Sequence, residues 1–468
     1  MTALEDRPEI SPFLQGEFAP VVDELDVGDL RVTGQIPAAL SGVYMRNGAN
    51  PQFAPSGRYH WFDGDGMVHA VSLDGGKARY RNRWVATPGL GYEQAVGHSL
   101  FGGILNFTFP PEELMAECGI FKNAANTNIV RHAGRYLALW EGGFPIEITN
   151  DLETRGLFDF AGRLTGAMTA HPKWCPETGE LIFFGYDPVA GPPFLRHHVA
   201  DRNGVLTHTA DIELPRGVMM HDFLTTRNYS IFFDFPAVIA ATMTGESMWQ
   251  PDLGARIGVM PRHGTNADVK WFSIDACFVF HFLNAWEQGD EIVAYGCRMP
   301  SIDLDFEAGE NDIAELGTLD GVGLTKWTMN LATGSVREEM VHDLRSDFPR
   351  LHDDRLGVPH RYGYASTTLD GPMTIGFNGI VRYDLQTGGD VTYAFGEGTS
   401  IGEAVFAADP TGSAEDDGWL MVFATDKATD TTDLCILDGH DVAAGPVARV
   451  HMPRRVPAGF HGNWMPNP

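Results

Sequence analysis

The chain has 468 residues, of which 43% are hydrophobic and 20% charged, a composition typical of a globular protein with a large core. Its formal net charge is −29, from 33 Lys and Arg against 62 Asp and Glu, and it has no basic run, which argues against nucleic acid and anionic lipid headgroups as partners. The acidic N-terminus lacks the apolar region of a signal peptide, and no apolar stretch reaches the roughly 18 residues needed to span a bilayer.

The cysteines indicate a reducing compartment. They are odd in number, scattered and without a C-x-x-C pair: Cys118, Cys175, Cys277, Cys297 and Cys435. We interpret them as reduced thiols and expect a cytoplasmic protein. No obligate protein partner is evident.

In chain order, the first predicted element of note is a helix. The segment PPEELMAECGIF, from about Pro110 to Phe121, has proline at its start and acidic residues in its first turn. The rest of the chain consists mainly of short runs rich in aromatic and β-branched residues, such as ELIFFGY, YSIFFDFP and WLMVFAT, separated by turn residues. This pattern predicts an all-β protein.

Three turns share one hairpin chemistry, in which a polar residue is followed by Thr-Gly and then by a new strand. They lie in the segments 175–184, 330–340 and 384–395. Recurring hairpins without a boundary linker favour a β-propeller or a large sandwich. We expect residues 1–468 to form a single domain.

The histidines fall into two groups. His197, His198, His208 and His263 have polar neighbours in sequence, and we expect them on the surface. Four others are embedded among Met, Phe, Trp, Val and Gly: His171, His221, His281 and His461. One histidine in apolar company is usually a hydrogen-bonded core residue, but four are better explained together as metal ligands, because neutral imidazole is a common ligand for redox metals. A ligand set of this type suits iron, copper or zinc.

Two acidic residues also lie within apolar runs, where an unpaired charge is costly. These are Glu141 in LALWEGGFP and Glu403 in SIGEAVFAAD. A metal-bound imidazole normally donates its second N–H to a carboxylate, so both are candidates for that role. The alternative is a buried ion pair with an arginine.

Taken together, these segments resemble the successive signature blocks of the carotenoid cleavage oxygenases. The matching blocks are RNGANPQF, ANTNIV, ALWEGGFP, TAHPKW, MHDF, FHFLNAWE, DFPR, GEAVF and FHGNW, in the right order from about Pro12 to Trp464. The resemblance implies a seven-bladed β-propeller with a few helices and loops capping the metal-containing face. It also implies non-haem Fe(II) on the propeller axis, held by His171, His221, His281 and His461.

The resemblance further implies three carboxylates behind the histidines. They fall on Glu141, on Glu403 and on the DFPR block, where this chain has Asp347 in place of the usual glutamate. Since aspartate is one methylene shorter, we expect its hydrogen bond, by family order to His281, to be longer, water-bridged or replaced by backbone adjustment. His461 as a ligand requires the C-terminus to enter the propeller axis.

The chemistry implied by the resemblance is oxidative cleavage of a C=C bond by O2, giving two carbonyl products, usually aldehydes. Thr127, in ANTN, matches a threonine near the open face of the metal, although a simple turn hydroxyl is an equal interpretation. Trp140 stands where relatives that cleave hydroxystilbenes have a lysine that binds the phenolic oxygen. We therefore expect a carotenoid or apocarotenoid substrate, with a stilbene or phenylpropene as the alternative.

The segment from Gly97 to Met115 resembles an apolar patch at the mouth of the family's substrate tunnel. The residues assigned to this mouth patch are Leu100, Phe101, Ile104, Leu105, Phe107 and Phe109. Such a patch would allow peripheral membrane contact through apolar burial, while the alternative is a segment packed on the propeller face.

Two rival functions belong to other classes. In the first, the histidines are core residues of a binding propeller that holds no stoichiometric metal. In the second, the fold carries a zinc hydrolase with three protein ligands and an activated water.

Overall fold

A computed structural model describes residues 11–104, 109–189, 191–242, 245–302, 304, 321–369 and 377–467. Within these ranges the chain forms seven antiparallel β-sheets and three short α-helices. The helices are α1 (Pro88–Val96), α2 (Glu112–Cys118) and α3 (Ile239–Thr242). The architecture is the predicted seven-bladed β-propeller.

The first three sheets come from the first half of the chain, apart from one strand. The first sheet contains β1 (Asp26–Val27), β3 (Gly42–Ala49), β4 (Gly66–Asp74), β5 (Lys77–Trp84) and, from the C-terminus, β31 (Gly462–Pro466). The second contains β6 (Asn128–His132), β7 (Arg135–Leu139), β8 (Ile146–Ile148) and β9 (Thr154–Leu157). The third contains β10 (Lys173–Trp174), β11 (Leu181–Tyr186), β12 (Leu195–Ala200) and β13 (Leu206–Ile212).

The next three sheets follow in the same manner. The fourth contains β14 (Leu224–Thr225), β15 (Tyr229–Asp234), β16 (Ala255–Pro261) and β17 (Lys270–Ile274). The fifth contains β18 (Phe278–Gln288), β19 (Glu291–Met299), β20 (Gly323–Asn330) and β21 (Val336–His342). The sixth contains β22 (Ser346–Arg350), β23 (Tyr362–Thr367), β24 (Gly379–Asp384) and β25 (Gly389–Ala394).

The seventh sheet and the first one close the ring. The seventh contains β26 (Thr399–Ile401), β27 (Val405–Ala408), β28 (Gly418–Asp426), β29 (Thr431–Asp438), β30 (Pro446–His451) and, from the N-terminus, β2 (Val32–Gly34). The last strand of the chain, β31, pairs with β3, and the early strand β2 pairs with β30. Each end of the chain therefore completes a sheet built by the other end, so the C-terminal segment is structural.

The position of a strand within its sheet explains its sequence pattern. Middle strands such as β11 and β15 are buried at almost every position, because each sheet is covered on both faces by its neighbours. Outer strands such as β21 and β25 are mostly exposed or half-buried. The core consequently lies between adjacent sheets. Its largest cluster of buried apolar side chains fills the space between the fourth and fifth sheets.

Several sequence predictions are confirmed. The three Thr-Gly turns join β10 to β11, β20 to β21 and β24 to β25, and the glycine of each has a positive φ: Gly179, Gly334 and Gly388. The predicted helix is α2, which ends where Gly119 adopts a φ of +81°. The sequence analysis did not identify α1 as a helix. All five cysteines are unpaired.

The expected surface location of His197 and His198 is wrong, because both are buried. They lie on β12, a middle strand whose polar side chains point between two sheets. His197 Nε2 is 2.9 Å from the carbonyl oxygen of Arg262, and the His198 ring stacks on Phe183. His263 is exposed and His208 half-buried. Among the described residues, no helix is long and apolar enough to cross a membrane.

Candidate metal centre

The four histidines predicted as ligands come together at one point. Each of these histidines lies in or just before the strand at the inner edge of a sheet. His171 precedes β10, His221 precedes β14, His461 precedes β31, and His281 lies in β18. The Nε2 atoms of His171 and His221 are 3.0 Å apart, and those of His221 and His281 are 3.3 Å apart. One nitrogen from each of the four lies within 4.8 Å of all the others. The cluster therefore joins four sheets at the centre of the ring.

Three of the histidines contact a carboxylate through their other ring nitrogen. His221 Nδ1 is 2.5 Å from Glu141 Oε2, and His461 Nδ1 is 3.1 Å from Glu403 Oε1. His281 Nδ1 is 3.0 Å from an oxygen of Asp347. In each pair the Nδ1–H donates to the carboxylate, which fixes the tautomer and leaves the Nε2 lone pair directed at the cluster.

This tautomer makes the contact between Nε2 atoms unfavourable without a cation. Two imidazoles whose only proton is on Nδ1 present lone pairs to one another, and the Nε2 atoms of His221 and His281 are only 3.3 Å apart. The spacing fits a shared metal ion, because ligands about 2.1 Å from a metal and at right angles to each other are about 3 Å apart. The residues present therefore fit a metal bound by four imidazoles.

The buried charges support the same conclusion. The three carboxylates supply three negative charges, and Arg350 Nη1 lies 3.4 Å from Glu403 and offsets one of them. Among the described residues, Glu141 and Asp347 form ion pairs with no lysine or arginine, and a divalent cation held by the histidines would balance their charge. Glu403 is buried and the other two carboxylates are half-buried, so a nearby cation lowers the cost of removing their charge from water.

The pKa shifts favour neutral imidazole at the two most enclosed positions. Burial, reinforced by the neighbouring His461, lowers the pKa of His171 well below its ordinary value. Burial lowers the pKa of His461 to about 4, although Glu403 opposes the shift. Burial also disfavours the charged form of His221, but the adjacent Glu141 outweighs this effect and raises its pKa. Neutral imidazoles are ready to bind a metal without first losing a proton.

Asp347 reaches His281 directly, in spite of its short side chain. The pairing of β22 with β23 is irregular between Asp347 and Arg350, and Phe348 adopts a φ of +53°. The Phe348 N–H donates to the same oxygen of Asp347 over 2.8 Å. The expected lengthening or replacement of this hydrogen bond is therefore wrong: the bond is direct and of ordinary length, and the backbone at this position is irregular.

A large cavity leads to the histidines. Its volume is about 1390 Å³, above the roughly 300–1,000 Å³ usual for small-molecule pockets. Many aromatic side chains line it, among them Trp61, Phe62, Trp140, Phe280, Phe348 and Phe460. The rings of Phe280 and Phe348 pack against His221 and His461 respectively. The cavity therefore has room for an apolar molecule beside the metal site.

Comparison with known proteins agrees with this geometry. The family model described as retinal pigment epithelial membrane protein matches residues 18–466. A carotenoid cleavage oxygenase of Mycobacterium tuberculosis is 36% identical over 100% of both chains. The chain belongs to the carotenoid cleavage oxygenase family. An isoeugenol monooxygenase of Pseudomonas nitroreducens is 34% identical, with 98% of each chain covered.

Solved structures of family members have the same fold. The lignostilbene dioxygenase of Pseudomonas brassicacearum superposes with a TM-score of 0.88 at 29% identity, over 98% of this chain and 99% of that one. The apocarotenoid oxygenase of Synechocystis gives 0.84 at 28% identity, over 96% and 97%. As a member of this carotenoid cleavage oxygenase family the protein is an enzyme, a dioxygenase, which decides against both rival functions.

Thr127 and Trp140 both line the cavity of this oxygenase. The Thr127 hydroxyl donates to Asn126 Oδ1, and its backbone carbonyl accepts the N–H of His461, so the residue also holds a proposed ligand in place. The Trp140 indole lies against the backbone of Gly142, where an added Cβ would come within 2.5 Å of the ring. Glycine at that position lets the indole lie flat along the cavity wall.

The predicted mouth patch is only partly exposed. Ile104 and Phe109 are exposed, at 42% and 63%, and Leu100 is half-buried. Phe101 is only 5% exposed, so its assignment to the patch is wrong. Its ring lies beside Gly89 of α1, the helix that the sequence reading missed. Leu105 and Phe107 lie outside the described residues.

Sequence reasoning missed two residues that contact the carboxylates. The hydroxyl of Tyr186 donates to Glu141 over 2.6 Å. Arg350 contacts Glu403 and also donates to Asn463 over 2.7 Å. Arg350 belongs to the DFPR block, so the sequence offered it as a candidate partner for a carboxylate. Tyr186 carried no signal, because its contact depends on how the second and third sheets are placed side by side.

Proposed function

We propose that this enzyme is a non-haem Fe(II) dioxygenase that cleaves one C=C bond of a carotenoid or apocarotenoid with O2 and releases two carbonyl products. The main support for this proposal is the cluster of four imidazoles at the end of a large cavity lined with aromatic residues. Three carboxylates contact the other ring nitrogens of three of these histidines. Both oxygen atoms of O2 enter the two products as the C=C bond breaks, so no nicotinamide or flavin is required.

The residues that hold the metal are His171, His221, His281 and His461. Bound Fe(II) supplies the redox chemistry that activates O2, which four neutral ligands favour by leaving the ion its full charge and open positions. Glu141, Asp347 and Glu403 act indirectly, since each orients one imidazole and makes it a stronger ligand. We propose that Thr127 borders the open face of the metal, because it lines the cavity and lies next to His461 in space.

The cavity wall selects the bond that reacts. A long polyene chain has no hydrogen-bonding groups of its own, so its position depends on the length and shape of the cavity. Holding one double bond beside the metal converts the reaction to an intramolecular one, and orientation then supplies much of the selectivity. A cavity of about 1390 Å³ exceeds what one phenylpropene needs.

Trp140 favours the polyene over a phenol. Among the described residues that line the cavity there is no lysine to bind a phenolate. Solved variants of the Synechocystis apocarotenoid oxygenase include substitutions of a tryptophan and of the glutamate next to it in sequence. This chain has the same pair of residue types at Trp140 and Glu141. The alternative substrate is a stilbene or phenylpropene. It is supported by the similarity of this chain to an isoeugenol monooxygenase and a lignostilbene dioxygenase.

Exposed apolar side chains near the cavity mouth suit delivery of a lipid-soluble substrate. Ile104, Phe109 and Ile120 are each at least 42% exposed and line the cavity. These three side chains would contact a membrane surface by apolar burial. The net charge of −29 leaves electrostatic attraction to anionic lipid no part in this contact.

The deciding experiment loads the purified protein with Fe(II) under anaerobic conditions and then measures O2 uptake and product masses. A long apocarotenal and a hydroxystilbene are supplied in parallel. We expect one O2 consumed per apocarotenal cleaved, two carbonyl products and no turnover of the stilbene. Cleavage of the stilbene alone would overturn the substrate assignment and keep the dioxygenase chemistry, whereas zinc in place of iron with full activity would overturn the metal assignment.

Trp140→Lys tests the substrate argument directly. The substitution places an ammonium group on the cavity wall beside Glu141, which raises affinity for a phenolate and disfavours an apolar chain. We expect kcat/KM for the apocarotenal to fall at least roughly tenfold, while iron content is unchanged. Trp140→Phe is the matched control, since it keeps an aromatic ring and should retain most activity. Equal loss in both variants would indicate that only the size of Trp140 matters.

A further inference from the structure

Each of the three carboxylates behind the histidines is held by a second donor as well as by its imidazole. Glu403 accepts the Gly462 N–H over 2.8 Å and contacts Arg350. Asp347 accepts the Phe348 N–H over 2.8 Å. These donors belong mainly to the backbone, so the orientation of both carboxylates follows from the fold itself.

Glu141 is held differently. Its Oε2 is 2.5 Å from His221 Nδ1, and its Oε1 accepts the Tyr186 hydroxyl over 2.6 Å. Among the described residues, no backbone N–H donates to this carboxylate. The side chain is also more exposed than that of Glu403, at 17% against 3%. The orientation of Glu141 therefore depends on a single side-chain hydroxyl.

We infer that Tyr186 is a positioning residue of the metal centre, because its hydroxyl holds Glu141 in the one orientation that supports His221. This inference rests on the proposed function, since it assigns a role toward the same metal. Tyr186 does not contact a histidine of the cluster through its hydroxyl. It acts through Glu141, and its effect on the metal should disappear when Glu141 is removed.

The fold places the three residues in a row across adjacent sheets. Glu141 follows β7 of the second sheet, Tyr186 ends β11 of the third, and His221 precedes β14 of the fourth. The end of β11 is fixed by a close backbone approach, because a Cβ at Gly185 would come within 2.0 Å of the carbonyl oxygen of Ala167. A rigid strand end thus presents the hydroxyl to Glu141.

The direction of the hydrogen bond is set by the ionisation of the phenol. Burial, followed by the negative charge of Glu141, raises the pKa of Tyr186 well above its ordinary value. The hydroxyl keeps its proton and donates it to the carboxylate. Without this donor, Oε1 faces a cavity that both residues line, and the carboxylate is free to turn away from His221.

A double-mutant cycle on metal affinity tests this role. Fe(II) dissociation constants are measured by anaerobic equilibrium dialysis for the unchanged protein, Tyr186→Phe, Glu141→Ala and the double variant. We expect Tyr186→Phe to weaken Fe(II) binding roughly three- to tenfold, and Glu141→Ala roughly 10–100-fold. In the Glu141→Ala background, we expect Tyr186→Phe to change the constant less than about twofold.

The outcomes separate this inference from the function on which it rests. Equal weakening by Tyr186→Phe in both backgrounds, or no weakening in either, would overturn the role of Tyr186. No weakening by Glu141→Ala would instead overturn the metal role of Glu141. If Glu141→Ala does not fold, Glu141→Gln takes its place, with the effect of Tyr186→Phe expected to fall at least by half. Tyr364→Phe, which removes a buried hydroxyl bonded to the carbonyl of Gly439, is the control and should leave Fe(II) affinity unchanged.

Discussion

We expect removal of residues 461–468 to weaken metal binding severely and to destabilise the propeller, whereas His461→Ala should weaken metal binding to the same degree with the fold intact. This short segment contributes both to the metal site and to the fold, because His461 belongs to the imidazole cluster and the five residues that follow it form β31. In the single variant, β31 still pairs with β3 and the ring stays closed. The two variants therefore separate the metal contribution from the structural one.

The expected magnitudes are large for both quantities. Loss of a direct ligand should weaken Fe(II) binding by more than the roughly 100-fold that marks the upper range for outer-shell partners. The truncation also removes Met465, whose side chain is 4% exposed and whose burial contributes about 2 kcal/mol to stability. The surface on which this side chain packs then becomes exposed. Metal content after dialysis and the thermal unfolding midpoint are the two measurements. A truncated protein with full iron and an unchanged midpoint would mean that the C-terminus does not close the ring.

The metal cluster was predictable from sequence for a physical reason. A polar ligand at the centre of a propeller is surrounded by buried residues, so each histidine stands out within an apolar run of its own strand or turn. The same reasoning singled out Glu141 and Glu403. Which carboxylate serves which histidine is a property of how the sheets are arranged, and only the resemblance to a family suggested the pairing of Asp347 with His281.

The wrong predictions share one cause. His197 and His198 have polar neighbours in sequence, but they lie on a middle strand that is covered on both faces. Phe101 lies in an apolar run, but α1 covers its ring. Tyr186 gave no signal, because its partner comes from another sheet. Contacts between segments that are distant in sequence leave no periodic trace in either partner, and all of these residues depend on such contacts.

Asp347→Ala should weaken Fe(II) binding roughly 10–100-fold, because His281 then loses the carboxylate that fixes its tautomer. The hydrogen bond of 3.0 Å between Asp347 and His281 already has ordinary length. Asp343, an exposed aspartate just before β22, provides the control variant Asp343→Ala, which should bind Fe(II) normally. Anaerobic equilibrium dialysis measures both, and normal affinity in Asp347→Ala would remove Asp347 from the centre.

Asp347→Glu is the sharper variant, because it restores the residue usual in the family and should nevertheless weaken Fe(II) binding, by roughly tenfold. The added methylene moves the carboxylate by about 1.5 Å toward an imidazole that is already in contact. It also breaks the bond from the Phe348 N–H, and Phe348 holds a left-handed conformation that costs about 1–3 kcal/mol and needs such support. Tighter Fe(II) binding by Asp347→Glu would instead show that aspartate is an imperfect replacement here. The irregular backbone of β22 argues against that result, since this stretch already brings the shorter side chain to its partner.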